Sequence, residues 1–217
     1  MPVQELVETF AAAGAATAAV VGSPEVGAAW DEPSALAGYR VGELAAHILL
    51  ATARLETVLA EDPPADPVVV DLVGFYGPNR VEDPADTDAG LHPLIRAAAV
   101  DVAGRGHAAV TEELQGVLDR VRPAVLAAEP DRPVSVVNVR RGVTSLDTYL
   151  RTRVVELVVH GDDLAVSVGL ASELPPTAVD VTLGVCLELA RARSGDLAVV
   201  RALVRRERAD PDVLRVL

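Results

Sequence analysis

Residues 151–169 read RTRVVELVVHGDDLAVSVG and form an unbroken helical pattern of apolar side chains. Two polar residues, Glu156 and His160, interrupt the valines and leucines at a spacing of four. Four residues of an α-helix advance about 400° in rotation and about 6 Å along the axis, so both side chains project from nearly the same face. A buried carboxylate and a buried imidazole are costly unless they are paired or bind a metal. The pattern therefore predicts a core helix that carries a polar site.

The rest of the chain contains further helical patterns, separated by connections rich in proline and glycine. We expect helices, in chain order, at residues 3–21, 41–60, 90–128, 177–193 and 196–208. Gly104 and Gly106 are expected to bend or split the third of them, and residues 130–142 are the best candidate for a strand. The fold class that follows is mainly α, with one domain at residues 1–170 and a C-terminal helical extension, residues 171–217, packed on it.

Composition favours an aliphatic helical core. Half of the residues (50%) are hydrophobic, whereas only 3% are aromatic, and such chains pack as close helices more readily than as β-sandwiches. The net charge is −13, and all 19 basic residues are arginine. An acidic chain without a basic patch does not suit a nucleic-acid partner. The absence of lysine indicates a GC-rich genome.

Localisation is predicted from the first helix and from the cysteine count. The first twenty residues lack the basic segment of a signal peptide and carry Glu5 and Glu8. The apolar runs are interrupted by charges, so no membrane span is expected. The single cysteine, Cys186, excludes a disulfide within the chain. We therefore expect a cytoplasmic protein with no membrane partner.

One further histidine, His47, lies beside the apolar stripe of the second predicted helix. Together with Glu156 and His160 it makes three ligands that leave one position for water or substrate, as in catalytic zinc sites. The alternative is that each histidine is a hydrogen-bonded core residue and that Glu156 pairs with Arg153 or Arg151. The spacing alone leaves both interpretations open.

Neighbouring acidic residues have simpler roles. Glu43 also precedes His47 by four residues, but it lies in the first helical turn, where a carboxylate offsets the positive end of the helix dipole. Asp163 either orients His160 as a hydrogen-bond acceptor or lies exposed. The chain has no Ser-His-Asp pattern, phosphate loop or dinucleotide fingerprint, so these other common enzyme classes find no support.

Two segments resemble the signatures of a known family. Residues 39–47, YRVGELAAH, resemble the start of the second helix in mycothiol-dependent maleylpyruvate isomerase-like proteins, where an aromatic residue is followed by V-G-D/E-L-x-x-H. Residues 149–165, YLRTRVVELVVHGDDLA, are similar to the second signature of that family, R-x-x-E-x-x-x-H-x-x-D-L. The order of the two segments and their separation along the chain also agree with the family.

The resemblance implies a DinB/YfiT-like four-helix bundle, here with additional C-terminal helices. It further implies a divalent metal, by preference zinc, on His47, Glu156 and His160, and mycothiol as cosubstrate. The metal would hold the sulfur of mycothiol as thiolate, which then reacts with a small electrophilic substrate. Arg153, as a catalytic group, and Arg80, as a group that binds the cosubstrate, are the arginines assigned to a carboxylate of mycothiol or substrate.

The functional hypothesis is therefore a metal-dependent transferase or isomerase that uses a low-molecular-weight thiol. Two alternatives stay open, namely a hydrolase whose nucleophile is metal-bound water and a non-catalytic bundle that binds a metal or ligand. The chain after residue 170 does not match the separate α/β domain of the full isomerase, so maleylpyruvate itself is not the expected substrate. We expect a monomer or homodimer of actinobacterial origin.

Overall fold

The computed structural model describes residues 3–77, 92–137, 139–208 and 210–216. Four long helices form its central bundle: α1 Val3–Val21, α3 Val41–Ala60, α6 His107–Ala127 and α7 Leu146–Ser167. Helices α1 and α3 each pack against both α6 and α7, so the four helices close around one core. The predicted mainly α fold with a four-helix bundle is confirmed.

The bundle core is aliphatic, as the composition indicates. Its largest fully buried side chains include Phe10, Leu6, Leu44, Ile48, Leu55, Leu114, Leu150, Leu157 and Leu164. Full burial of one such side chain stabilises the fold by about 1.5–3 kcal/mol. Packing of leucine and valine from all four long helices therefore holds the bundle together.

The described residues also form five shorter or peripheral α-helices: α2 Pro24–Ala28, α4 Leu72–Tyr76, α5 His92–Ala103, α8 Pro176–Ser194 and α9 Asp196–Val204. Two short 3-10 helices, Arg206–Arg208 and Pro211–Leu214, follow α9. Helix α5 packs on α3, α8 packs on α7, and α9 packs on α8. Val185 and Leu189 of α8 join Leu72 of α4 and Val155 of α7 in one apolar cluster. Among the described residues, no helix combines the length and the apolar character needed to cross a membrane.

The helix expected at residues 90–128 is two helices, α5 and α6. The chain turns between them at residues 104–106, where Gly106 has a φ of +87°. An α-helix does not use this region, and side chains other than glycine rarely adopt it. Of the two effects expected from Gly104 and Gly106, bending or splitting, the structure shows splitting. Pro123 lies inside α6, which continues to Ala127.

A small three-stranded sheet leads into α7. Its strands are β1 Val68–Val69, β2 Pro133–Ser135 and β3 Gly142–Ser145, in the order β1-β3-β2. Strand β1 runs parallel to β3, and β2 runs antiparallel to it. Helix α7 begins directly after β3, where the Ser145 hydroxyl accepts a hydrogen bond from the Thr148 N–H at 3.2 Å. The sheet and this cap together set the position at which α7 starts.

Candidate metal centre

The start of α3 is defined by tertiary packing and by a cap. A Cβ atom at Gly42 would lie only 2.7 Å from Trp30 Nε1, so the indole ring packs where only glycine leaves room. The Trp30 Nε1–H donates to the Ala103 carbonyl at 3.2 Å, which ties this ring to the end of α5. The Arg40 N–H donates to Glu43 Oε2 at 2.9 Å, so Glu43 is a capping residue and is engaged away from His47. These contacts set the rotation and start of the helix that carries His47.

Three side chains from two helices meet in what we call the His/Glu/His cluster: His47 of α3 with Glu156 and His160 of α7. Glu156 Oε2 lies 3.4 Å from His47 Nε2 and 3.3 Å from His160 Nε2. The two imidazole rings are 4.7 Å apart between centroids and nearly perpendicular, at 84°. One potential ligand atom from each residue lies within 4.8 Å of the other two.

The distances in the cluster suit a small divalent ion. Two ligands at about 2.05 Å from a tetrahedral zinc ion lie about 3.3 Å from each other. The two contacts of Glu156 Oε2 already have this length. Two imidazole nitrogens and a carboxylate oxygen are also a donor set that zinc accepts, with one position left open. The residues present therefore fit a divalent metal in both chemistry and spacing.

Glu156 is held in its charged form by its neighbours. Burial opposes ionisation, but hydrogen bonds with His160 and His47 and the charge of Arg153 outweigh it, and the pKa of Glu156 lies well below its usual value. Arg153 Nη2 is 3.6 Å from Glu156 Oε1, the oxygen that the histidines do not share. Both carboxylate oxygens are thus engaged, and the carboxylate carries the negative charge that a cation ligand needs.

His160 is oriented from its far side by Asp163. Its Nδ1 lies 3.2 Å from Asp163 Oδ2, while its Nε2 faces Glu156. Burial lowers the pKa of His160, but the two carboxylates more than compensate and raise it to about 9. Without a metal the imidazole therefore holds a second proton near neutral pH. A carboxylate on the outer nitrogen of a histidine ligand is the usual way to fix its orientation in metal sites.

His47 is the least supported member of the cluster. Its Nδ1 is buried, and none of the described residues gives it a hydrogen-bond partner. The ring of Tyr39 also lies near it, with 5.8 Å between the two ring centroids. The imidazole of His47 is therefore held by its contacts with Glu156 and with the rings of Tyr39 and His160, and not by a hydrogen bond at Nδ1 from a described residue.

Of the two arginines proposed from sequence, Arg153 and Arg80, the structure describes only Arg153. Arg153 is only 8% exposed. Its Nη1 donates to the Ala51 carbonyl at 3.2 Å, and its guanidinium lies 4.8 Å from the centre of the Tyr149 ring. This environment suits a residue that positions Glu156 more than one that binds a substrate carboxylate. Arg80 lies outside the described residues.

Two residues outside the cluster, His107 and Tyr76, also carry polar groups that are buried or partly buried in the fold. His107 bonds the Val21 carbonyl through Nε2 at 2.7 Å and so joins the start of α6 to the end of α1. Tyr76, at the end of α4, has a buried hydroxyl with no hydrogen-bond partner among the described residues. Residues 68–76 read VVVDLVGFY, an apolar run that the sequence predicts only to pack on the bundle. A phenol at its end gives no pattern that distinguishes a site residue from a core residue.

Fold and site together define a class of protein, a mainly α bundle of the DinB-like type in which two helices bring together a candidate metal site. A family model described as "Mycothiol maleylpyruvate isomerase N-terminal domain" matches residues 10–165, from α1 through α7. The match covers most of the chain and includes the whole His/Glu/His cluster, and the chain belongs to this family. No match was found among curated proteins or among solved structures.

Proposed function

We propose that the protein binds a divalent metal, preferentially zinc, at His47, Glu156 and His160 and uses mycothiol as cosubstrate in a transferase or isomerase reaction. The observation that carries the proposal is the approach of three donor atoms from α3 and α7 within 4.8 Å of one another, with Glu156 Oε2 at the separation of a tetrahedral site from each histidine nitrogen. The description of the family to which the chain belongs names a mycothiol maleylpyruvate isomerase, and this supports mycothiol as the thiol.

Each residue of the cluster has a separate task in this proposal. His47 offers a neutral nitrogen through Nε2, and His160 does so once it has lost the second proton that it holds in the metal-free protein. Glu156 offers one negative oxygen, Oε2. A divalent metal held there supplies a Lewis acid that keeps a thiol deprotonated at neutral pH. Arg153 keeps the second oxygen of Glu156 occupied, and Asp163 holds the ring of His160 in place. A thiol bound at the open position of such a metal would supply the sulfur nucleophile for an electrophilic carbon of the substrate.

Metal analysis of the purified protein tests the first half of the proposal. We expect close to one zinc per chain in the wild type and loss of nearly all of it in His160→Ala. His107→Gln is the matched control, because it also removes an imidazole but keeps a donor for the Val21 carbonyl. If the wild type neither retains nor rebinds a divalent metal, or if His160→Ala binds it as well as His107→Gln does, the site is wrongly assigned.

Calorimetry with mycothiol tests the second half. We expect mycothiol to bind the zinc-loaded wild type and to bind the metal-free protein at least tenfold more weakly, a difference of about 1.4 kcal/mol. A zinc-loaded protein that does not bind mycothiol would contradict the thiol proposal and would favour either a water nucleophile or a role without catalysis. The two experiments therefore separate the metal site from the chemistry that it performs.

A further inference from the structure

Tyr76 presents a buried polar group that the structure leaves without a partner. Its hydroxyl oxygen is shielded from solvent, and no described residue forms a hydrogen bond with it. Buried hydroxyl groups in native proteins nearly always have a partner, and exceptions call for an explanation such as a missing ligand. Tyr76 therefore marks a place where an acceptor is to be expected.

The end of α4 packs next to the segment of α7 that leads into Glu156. Tyr76 packs against the apolar cluster that contains Val155, the residue before Glu156. The adjacent Phe75 ring lies 6.0 Å from the Tyr149 ring, which in turn lies under the guanidinium of Arg153. The last turn of α4 thus contacts α7 at Tyr149 and Val155, on either side of Arg153 and directly before Glu156.

Electrostatics agree with this placement. Burial raises the pKa of the Tyr76 phenol most, and the charge of Glu156 raises it further, whereas Arg153 lowers it. The phenol therefore stays protonated at physiological pH and acts as a neutral donor. Glu156 does not accept a hydrogen bond from this phenol in the structure, because the Tyr76 hydroxyl has no partner among the described residues.

We propose that Tyr76 donates its hydroxyl hydrogen to the sulfur of a low-molecular-weight thiol bound at the open position of the metal site. This inference rests on the proposed function, because the acceptor arrives only with that ligand. The donated hydrogen bond stabilises the negative charge on sulfur without adding a positive charge to the site. It also satisfies a buried hydroxyl that has no partner among the described residues.

The test uses the full chain loaded with Co²⁺, and 2-mercaptoethanol as the thiol probe. The variant is Tyr76→Phe, which removes only the hydroxyl. Thr111→Val is the matched control, because Thr111 also has a buried hydroxyl without a partner among the described residues. Thr111 lies on α6, which carries no member of the cluster, and its methyl group faces the Gly22 backbone.

We expect all three proteins to bind Co²⁺ with affinities within about twofold of each other, because the hydroxyl is not a metal ligand. Thiol affinity, measured from the sulfur-to-cobalt absorption, should fall about tenfold in Tyr76→Phe and remain unchanged in Thr111→Val. The metal-free Tyr76→Phe protein should unfold at the same temperature as the wild type or at a higher one, because an unpaired hydroxyl contributes no stability.

Three results would overturn the inference. Equal thiol affinity in wild type and Tyr76→Phe, or an equal loss in Thr111→Val, would show that the phenol does not bind the thiol specifically. A clear drop in the unfolding temperature of metal-free Tyr76→Phe would show that the hydroxyl has a structural partner such as a buried water. Failure of the wild type to bind Co²⁺ would overturn both this inference and the proposed metal site. The other results would overturn only the role of Tyr76, so a failure of the inference can be told apart from a failure of the proposed function.

Discussion

Replacement of Asp163 by asparagine tests how far the metal site depends on the group behind His160. Asparagine keeps an oxygen that accepts the hydrogen bond from Nδ1, but it removes the negative charge. Loss of such an outer partner typically weakens metal binding about 10–100-fold. The Asp163 side chain is 28% exposed and its contact with His160 measures 3.2 Å, which favours the lower end. We therefore expect about a tenfold loss of zinc affinity, or about 1.4 kcal/mol.

The assay is competition for zinc between the protein and a chromophoric chelator at neutral pH. Asp162→Asn is the control, since it makes the same change of charge one residue away, on an exposed side chain that contacts Ser172. Its zinc affinity should stay within about twofold of the wild type, because a solvent-screened charge contributes little. If the two variants lose affinity equally, the effect is one of general charge and the argument from the His160 contact is refuted.

Three further predictions concern packing, pH and metal removal. Gly42→Ala should destabilise the fold by about 2–3 kcal/mol in urea unfolding, because the new Cβ displaces the Trp30 ring. Gly184→Ala, whose Cβ would meet no atom within 4 Å in α8, should instead raise stability by about 0.5–1 kcal/mol, and equal effects at both sites would contradict this account. In metal-free protein, the stabilisation from charged His160 is fully present below its unfolded pKa of about 6.5 and is lost as the pH rises through about 9, since its folded pKa is raised. Unfolding at several pH values, with His160→Gln as the reference that should lack this loss, measures the effect. Chelation of zinc should lower the unfolding temperature of the wild type and leave that of His160→Gln unchanged, because a metal that binds only the folded state stabilises it.

Hydrophobic periodicity predicts the long helices closely because most of their stability comes from one buried face. The expected helices at residues 3–21 and 41–60 coincide with α1 and α3. The helix expected at residues 90–128 is split at Gly106, where the backbone adopts a positive φ. The two glycines predicted a bend or a split, but the apolar pattern alone could not decide between them. Contacts between distant residues, such as Trp30 with Gly42, also have no signal in periodicity because they depend on the docking of helices.

For the candidate site, too, spacing predicts the arrangement within one helix but not the contacts between helices. Spacing places Glu156 and His160 on one face of α7, which the structure bears out. Spacing could not choose between a metal site and a salt bridge to Arg153, and the structure explains why. The two oxygens of Glu156 face different neighbours, so the carboxylate meets both histidines and Arg153 at once. Tyr76 could not be foreseen, because its relation to Glu156 arises only when α4 packs over α7.

The small sheet bears on how this protein can vary during evolution. Pairing of Val68–Val69 with residues 142–143 anchors the chain shortly before α4, and α7 departs from the same strand pair. Further along the chain, α5 packs on α3. The described contacts that place α4 and α5 therefore include the pairing of β1 with β3 and the packing of α5 on α3. Selection is expected to keep the pairing of β1 with β3, because this one contact anchors both the chain that leads to α4 and the strand from which α7 departs.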